Sequence, residues 1–370
     1  MEKKHIYYVV KTDLHYYPPC VTQIRILRKL GVKITVLYGS SDDKILSLLR
    51  DEGIDCVEMI HKMNRFPGIL DKINNFYWFR YSVMKYLRGR TSTPKILWFG
   101  NVESMLPFIG ALGNIEYVIS FLELLDTSCL KRVLSKSMAQ NAAIVTTCEE
   151  TRSYIMKVWF HLDVVPYTIP NKPYYIDYKR GDYISNSKAR EALNTIGNSK
   201  YIIYQGIFQN YQYISAIASV LRDSFPDIYL LLVGIDKYNV IPKVRDIHKK
   251  TVILEYIPAP EHLQLTGNAY IGAIFYKPDT LNKAFCAPNK IFEYSYFGLP
   301  MLCNDIPGLK NTVGKANAGL CIDFSYQKVI NAIEKIDNNY DYYSNNSRQF
   351  YESVDNISTL KEIASKIEAI

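Results

Sequence analysis

Within the stretch CAPNKIFEYSYFGLPMLCND, residues 286–305, Lys290 and Glu293 stand three positions apart. On a helix that spacing sets an ammonium and a carboxylate about one turn apart, ~4.5 Å along the axis. The flanking residues define the helix. Pro288 suits a first turn, where its missing N–H costs nothing, Gly298 suits the position just past the end, and Pro300 blocks continuation. The predicted helix, 288–297, is short, roughly three turns. It follows the loop KPDTLNKAFCA (277–287), which leaves an apolar run. A helix that starts at the end of a parallel strand offers free N–H groups and a positive dipole end, and both attract phosphate. Lys290 adds a mobile cation to the same anion. Glu293 has the wrong sign for phosphate but can accept hydrogen bonds from both vicinal hydroxyls of a ribose. Together they describe a nucleotide-diphosphate site. An ordinary capped helix fits the same residues, its Lys290–Glu293 surface pair contributing roughly 0.2–0.5 kcal/mol.

Such a site needs parallel strands to position it, and the chain supplies them. Short β-rich runs alternate with helical patterns from end to end, which argues for an α/β fold of parallel sheets covered by helices. Strands are predicted at 5–10, 32–38, 95–99, 116–121 and 143–147, with helices near 19–30, 43–52, 69–88, 102–112 and 128–140. The pattern restarts with strands at 200–205, 228–234, 251–256, 269–276, 299–303 and 318–322. Helices fall near 211–223, 240–249, 260–267, 288–297 and 325–337, and the tail from Asn338 onward reads as further helix. The expected organisation is therefore two doubly wound domains, 1–170 and 199–340. A polar boundary spans 171–198, and C-terminal helices at 341–370 return to the first domain. Ligands of doubly wound sheets bind beyond the carboxyl ends of the strands, here in a cleft expected between the domains.

Several classes drop out. The first strand is followed by KTDLHYYPP, not G-x-G-x-x-G, and no G-x-x-x-x-G-K-[ST] occurs, so a standard dinucleotide enzyme and a P-loop ATPase are both disfavoured. The 7 cysteines are scattered without zinc spacing and read as reduced buried thiols of a cytoplasmic protein. The opening MEKKHIYYVV reads as a first strand, not a signal peptide, and no run approaches a spanning helix of about 20 residues. The net charge of +8 suits an anionic partner. Zinc-finger, RRM and basic-zipper patterns are absent, so no nucleic acid is expected.

PNKIFEYSYFGLPMLCNDIPGL closely resembles the signature P-x-K-x-x-E-Y-x-x-x-G-x-P-V-I of GT-B glycosyltransferases of the GT4-like group. IPNKPYY (169–175) resembles that group's I-P-N-G segment, and KYIIYQGIFQNYQYISAIASVL its strand–glycine–helix opening of the nucleotide domain. YLLLVG and EYIPAPEHLQLTGNAYIGAIFY match the strands that follow, so the resemblance covers nearly the whole second half. It implies a GT-B fold of two Rossmann-like domains and transfer of a sugar from a nucleotide-diphosphate sugar to an acceptor hydroxyl. It further implies that Glu293 binds the ribose, that Lys290 with Asn289 and the adjacent helix amides binds the diphosphate, and that Gly206 lets the backbone approach the phosphates. Two positions depart from the pattern. Phe285 stands where many members carry an acidic residue eight positions before the ribose carboxylate, which shifts sugar contact toward Asn282 and Lys283. IFQNYQY lacks the Arg and Lys usual after the glycine turn, which shifts phosphate neutralisation toward Lys290, Lys277 and Lys283.

In the first half the similarity rests on FLELLD (121–126) and on element order. FLELLD resembles the group's H-E-L segment with Leu122 in place of the histidine, which makes Glu123 the first choice for contacting donor sugar or acceptor and, with Lys290, the catalytic candidate. Asp13, His15 and Glu103 lie at predicted strand ends and are candidates for acceptor binding. Each also fits a capping or solvated polar residue, and His15 a packed loop histidine. No D-x-D closes a strand, so no metal and no other cofactor are expected. Members of the group retain anomeric configuration, the departing phosphate oxygen taking the acceptor proton.

NRFPGILDKINNFYWFRYSVMKYLRGR (64–90) interleaves cations with aromatics. Such a helix can lie at an anionic membrane surface, at roughly 1 kcal/mol per cation, or bury its aromatics in the first core. The first option suits a lipid-linked sugar acceptor and a peripheral place at the inner face of the cell membrane, in surface-polysaccharide or glycolipid assembly. Two other functions share the expected scaffold: a sugar-nucleotide 2-epimerase, and a non-catalytic nucleotide-sugar-binding partner of another transferase.

Overall fold

The computed structural model of the protein describes residues 4–62, 67–89 and 95–369. Residue contacts divide the chain into two compact units, Met1–Tyr174 together with Asp355–Ile370, and Tyr175–Val354.

The first unit runs β1 (His5–Asp13), α1 (Pro18–Lys29), β2 (Lys33–Ser40), α2 (Asp43–Asp51), β3 (Asp55–Glu58), α3 (Gly68–Arg88), β4 (Lys95–Phe99), α4 (Val102–Met105), β5 (Tyr117–Phe121), α5 (Cys129–Gln140), β6 (Ile144–Thr147), α6 (Glu150–Phe160) and β7 (Tyr167–Thr168). The second continues α7 (Ser187–Ile196), β8 (Tyr201–Ile207), α8 (Tyr211–Ser224), β9 (Tyr229–Ile235), α9 (Ile241–Ile247), β10 (Thr251–Leu254), α10 (Leu263–Thr266), β11 (Ile271–Ile274), α11 (Leu281–Ala284), α12 (Asn289–Tyr296), β12 (Met301–Asn304), α13 (Pro307–Leu309), β13 (Gly319–Ile322), α14 (Tyr326–Asn338) and α15 (Tyr340–Ser353). The helix α16 (Asn356–Ala369) then closes the first unit.

All pairings between these strands are parallel. The seven-stranded sheet has the order β3-β2-β1-β4-β5-β6-β7 and the six-stranded sheet β10-β9-β8-β11-β12-β13. Strand order reverses beside β1 in one sheet and beside β8 in the other, and each reversal opens a crevice at the carboxyl ends of the strands. Both faces of each sheet are covered, which is why the strands read as continuous apolar runs. In β8, Ile202 and Tyr204 join a core with α8 and α14, while Tyr201 and Ile203 point to the opposite core with α12. The side-chain period of two feeds both layers.

Several elements differ from expectation. The segment 171–198 is not all connector: α7 forms inside it, started by Asn186, whose side chain accepts from Ala189 N, and buried through Ala189, Ala192 and Ile196. Those small residues at helical spacing carry too little apolar weight to stand out. The strands β3 and β7 and the helix α6 add to the predicted set, and the helix expected at 102–112 ends early, at Met105. The expected division at residue 340 falls elsewhere. The helix α15 belongs to the second unit, Phe350 stacking on Phe292 of α12 at 5.7 Å, and only α16 joins the first. There Leu360, Ile363 and Ile367 enter the core of β1 and α1, and Tyr167 donates to Glu362 at 2.6 Å.

In α3 the inward face is Asn75, Phe79, Val83 and Leu87. Of the basic aromatic run, residues 64–66 and Arg90 lie outside the described residues. Among the described residues no helix is long and apolar enough to cross a membrane.

Candidate active site

The helix α12 begins one residue later than the sequence suggests. Pro288 is its extended N-cap (φ −75°, ψ 145°) and Asn289 its first residue, so the helix has 8 residues, little more than two turns. Its end is as expected: Phe297 is the C-cap and Gly298 adopts φ +66°, a left-handed conformation that suits glycine. The preceding loop contains α11, capped by Thr280 accepting from Lys283 N.

This placement brings Lys290 to the crevice between β8 and β11. Its half-buried ammonium lies over the rings of Tyr204 and Tyr276, 5.3 and 5.9 Å from their centroids. Gly206, near the carboxyl end of β8, has φ +120°, and a Cβ built there would stand 3.0 Å from Lys290 Nζ. Glycine is needed here by conformation, and a side chain would also push the flexible end of Lys290 aside. Burial pushes the Lys290 pKa down to about 8, against the opposing pull of Glu293. At neutral pH the amine is still mostly charged, and an anion bound beside it would raise its pKa again.

Tyr276 is fixed by the end of β12. Asn304, 4% exposed, accepts from Tyr276 N at 3.1 Å and donates to Tyr276 O at 2.7 Å. The 277–287 loop thus leaves β11 from a clamped point.

Glu293 lies one turn beyond Lys290, and its side chain is 13% exposed. His262 Nε2 stands 3.3 Å from Glu293 Oε2. Burial alone would raise the carboxyl pKa, but the charge and contact of His262, with help from Lys290, outweigh it and hold Glu293 below the usual carboxylate range. The carboxylate is therefore ionised at neutral pH and ready to accept hydrogen bonds. His262 had no signal in the sequence reading, because it meets Glu293 only through the fold.

The other predicted residues are distributed around this core. Asn289 opens α12 and Asn282 lies in α11. Lys283 Nζ is paired with Asp279 Oδ1 at 2.8 Å, and the exposed Lys277 stands 3.9 Å from Asp279 Oδ2. Both lysines offered for phosphate neutralisation already face a carboxylate, which leaves Lys290 as the cation set against Gly206.

In the first unit, Asp13, His15, Glu103 and Glu123 all fall at or just beyond the carboxyl ends of β1, β4 and β5. Asp13 Oδ1 stands 3.2 Å from His15 Nδ1, and Glu103 is ion-paired with Lys131. Glu123 is exposed. Tyr17 joins these carboxylates: its hydroxyl pKa is raised chiefly by burial and further by the charges of Glu123 and Glu103. The turn carrying Glu123 is held from below. Leu122 O accepts from Arg152 Nη1 at 2.9 Å and from Cys148 Sγ at 3.2 Å.

No protein-family model matches the chain, and no curated protein matches it in sequence. Solved structures do match in fold. Anabaena HepE, in complex with UDP and glucose, superposes with a TM-score of 0.71 at 12% identity, covering 99% of this chain and 100% of that one. WaaG, a glycosyltransferase involved in lipopolysaccharide biosynthesis, gives 0.63 at 14% identity over 98% of each chain. The UDP-GlcNAc 2-epimerase of Neisseria meningitidis, bound to UDP-GlcNAc, gives 0.68 at 11% identity over 99% of this chain and 100% of that one. The fold is GT-B, with two Rossmann-like parallel sheets in separate units.

Proposed function

We propose that the protein is a glycosyltransferase of GT4-like type that moves a sugar from a nucleotide-diphosphate sugar to an acceptor hydroxyl. The observation that carries this reading is the arrangement of Lys290 against Gly206 with Glu293 one turn deeper, at the strand-order reversal beside β8. In this reading Lys290 and the first amides of α12 meet the diphosphate and Glu293 takes the ribose hydroxyls. As the glycosidic bond breaks, negative charge grows on the leaving diphosphate, and a cation in a poorly hydrated site stabilises it more than water would. The leaving phosphate oxygen accepts the acceptor proton and configuration is retained. Glu123 and its neighbours at the carboxyl end of the first sheet contact sugar or acceptor. The structures of HepE with UDP and UDP-glucose support a uridine nucleotide as the first donor to try.

Assembly of a surface polysaccharide or glycolipid is the setting we propose. It is supported by the likeness to WaaG and by the outer face of α3, where Ile69, Leu70, Ile73, Tyr77 and Tyr81 are exposed beside Arg80, Lys85 and Arg88. Flotation with vesicles containing phosphatidylglycerol checks this setting; recovery equal to that with neutral vesicles removes it.

The epimerase neighbour supports a second reading, an isomerase on the same fold. Incubation with UDP-, GDP- and dTDP-sugars, with and without candidate sugar acceptors, separates them. Transfer supports the proposal, a new epimer formed without acceptor supports the isomerase, and binding without turnover points to a non-catalytic partner.

A further inference from the structure

We propose that His262 is a positioning residue that aims the carboxylate of Glu293 at ribose and so gives the site its preference for ribonucleotides over 2′-deoxyribonucleotides. The inference rests on the nucleotide reading above but concerns a residue that reading does not need. His262 precedes α10, and its backbone is held on both sides. Its N–H donates to Pro258 O at 3.2 Å, and its carbonyl accepts from Leu265 N, Thr266 N and Thr266 Oγ1 at 3.1, 3.2 and 3.2 Å. Thr266 Oγ1 in turn accepts from Gln205 Nε2 at 2.8 Å, and Gln205 is the residue before Gly206. The ring is thus hung from a rigid frame that also includes the phosphate-side strand.

The ring itself is tied to one thing. Nε2 stands 3.3 Å from Glu293 Oε2, whereas Nδ1 is buried without a hydrogen-bond partner among the described residues. A carboxylate can only accept, and Nε2 is the ring nitrogen placed to turn a proton toward it. A largely buried imidazole whose ring, among the described residues, has Glu293 as its polar contact does little for the fold that an apolar ring would not do. What it adds is constraint on the carboxylate. With Oε2 drawn to His262, Glu293 keeps one orientation and offers the remaining lone pairs to two adjacent hydroxyls. Holding such a group in advance removes the ordering cost of binding. Removing one hydroxyl then leaves a desolvated carboxylate short of a donor, which is how sites built for an OH reject analogues lacking it.

The test is calorimetric titration of the full chain with UDP, GDP and ADP and their 2′-deoxy counterparts. The wild type should bind the ribose form of its preferred nucleotide roughly tenfold tighter or more, as expected for a lost hydrogen bond to a charged group. His262→Ala should shrink that ratio to about threefold or less while deoxynucleotide affinity changes little. His262→Gln, whose amide nitrogen reaches the place of Nε2, should restore the ratio, and His262→Asn, too short to reach, should not. If His262→Ala does not fold, the Gln and Asn pair carries the test. An unchanged ratio in Ala or Asn, or equal loss of both nucleotides without rescue by Gln, overturns the positioning role alone. Absence of binding by the wild type to every nucleotide overturns the functional reading itself. Wild-type binding with no ribose preference removes the ribose role of Glu293, and the role of His262 with it.

Discussion

Lys290 Nζ lies 3.0 Å from the place a Cβ would occupy at Gly206. The two residues are far apart in sequence, yet the fold brings the lysine's end against the glycine's open face. Gly206→Ala should therefore act twice. A side chain at φ +120° costs of order 1–3 kcal/mol in the backbone, and the new methyl displaces the ammonium. We expect a lower unfolding midpoint and nucleotide affinity weakened by roughly tenfold or more, read by denaturant unfolding and calorimetry. Gly206→Ala with wild-type affinity would show that the ammonium does not meet the nucleotide there.

The pH response of the same lysine has a definite sign. Burial holds its pKa at about 8, against an ordinary 10.5. Nucleotide affinity should fall as pH rises through and beyond 8, since the charged form is lost, and Lys290→Arg should flatten that fall. Stability of the empty protein moves the other way. Between about 8 and 10.5 the unfolded chain keeps a proton that the folded chain has released, so this group adds stability as pH rises. Titrations at several pH values, alongside melting curves, read both.

Glu293→Ala should weaken nucleotide binding by ~1–3 kcal/mol through loss of charged hydrogen bonds, with the fold retained. Unchanged affinity in a folded Glu293→Ala protein refutes the ribose assignment.

Asn304→Leu removes both hydrogen bonds between this side chain and the Tyr276 backbone. Destabilisation of ~1–3 kcal/mol is expected. Denaturant unfolding measures it, and slower sugar transfer at saturating donor would follow from a loosened 277–287 loop.

Tyr294 tests burial without compensation. Its ring is fully buried against β11, where a Cβ at Gly272 would stand 2.2 Å from Tyr294 Cδ2, and its hydroxyl has no hydrogen-bond partner among the described residues. Tyr294→Phe should stabilise the protein by about 1 kcal/mol; a loss of stability would reveal a partner for the hydroxyl.

What the sequence showed and what it hid follow from the range of the interactions involved. The helix α12 was legible because Pro288 and Gly298 act on their own backbone, and a shift of one residue at Pro288 separates a first turn from a cap. The apolar strands were legible because both faces of each sheet are covered. The helix α11 was masked by polar loop residues although Thr280 is a good cap, and the pairing of Lys283 with Asp279 was hidden with it. His262 and Asn304 were invisible for another reason. Their partners, Glu293 and Tyr276, are brought to them by sheet order, and no local pattern encodes that.

The assignment of Asp355–Ile370 to the first unit has a consequence for biosynthesis. A ribosome delivers β1 through β7 first, then the whole of the second unit, and only afterwards the helix α16 that packs against α1. Until then the first unit must wait with an apolar surface uncovered. Its folding cannot be completed in the order of synthesis.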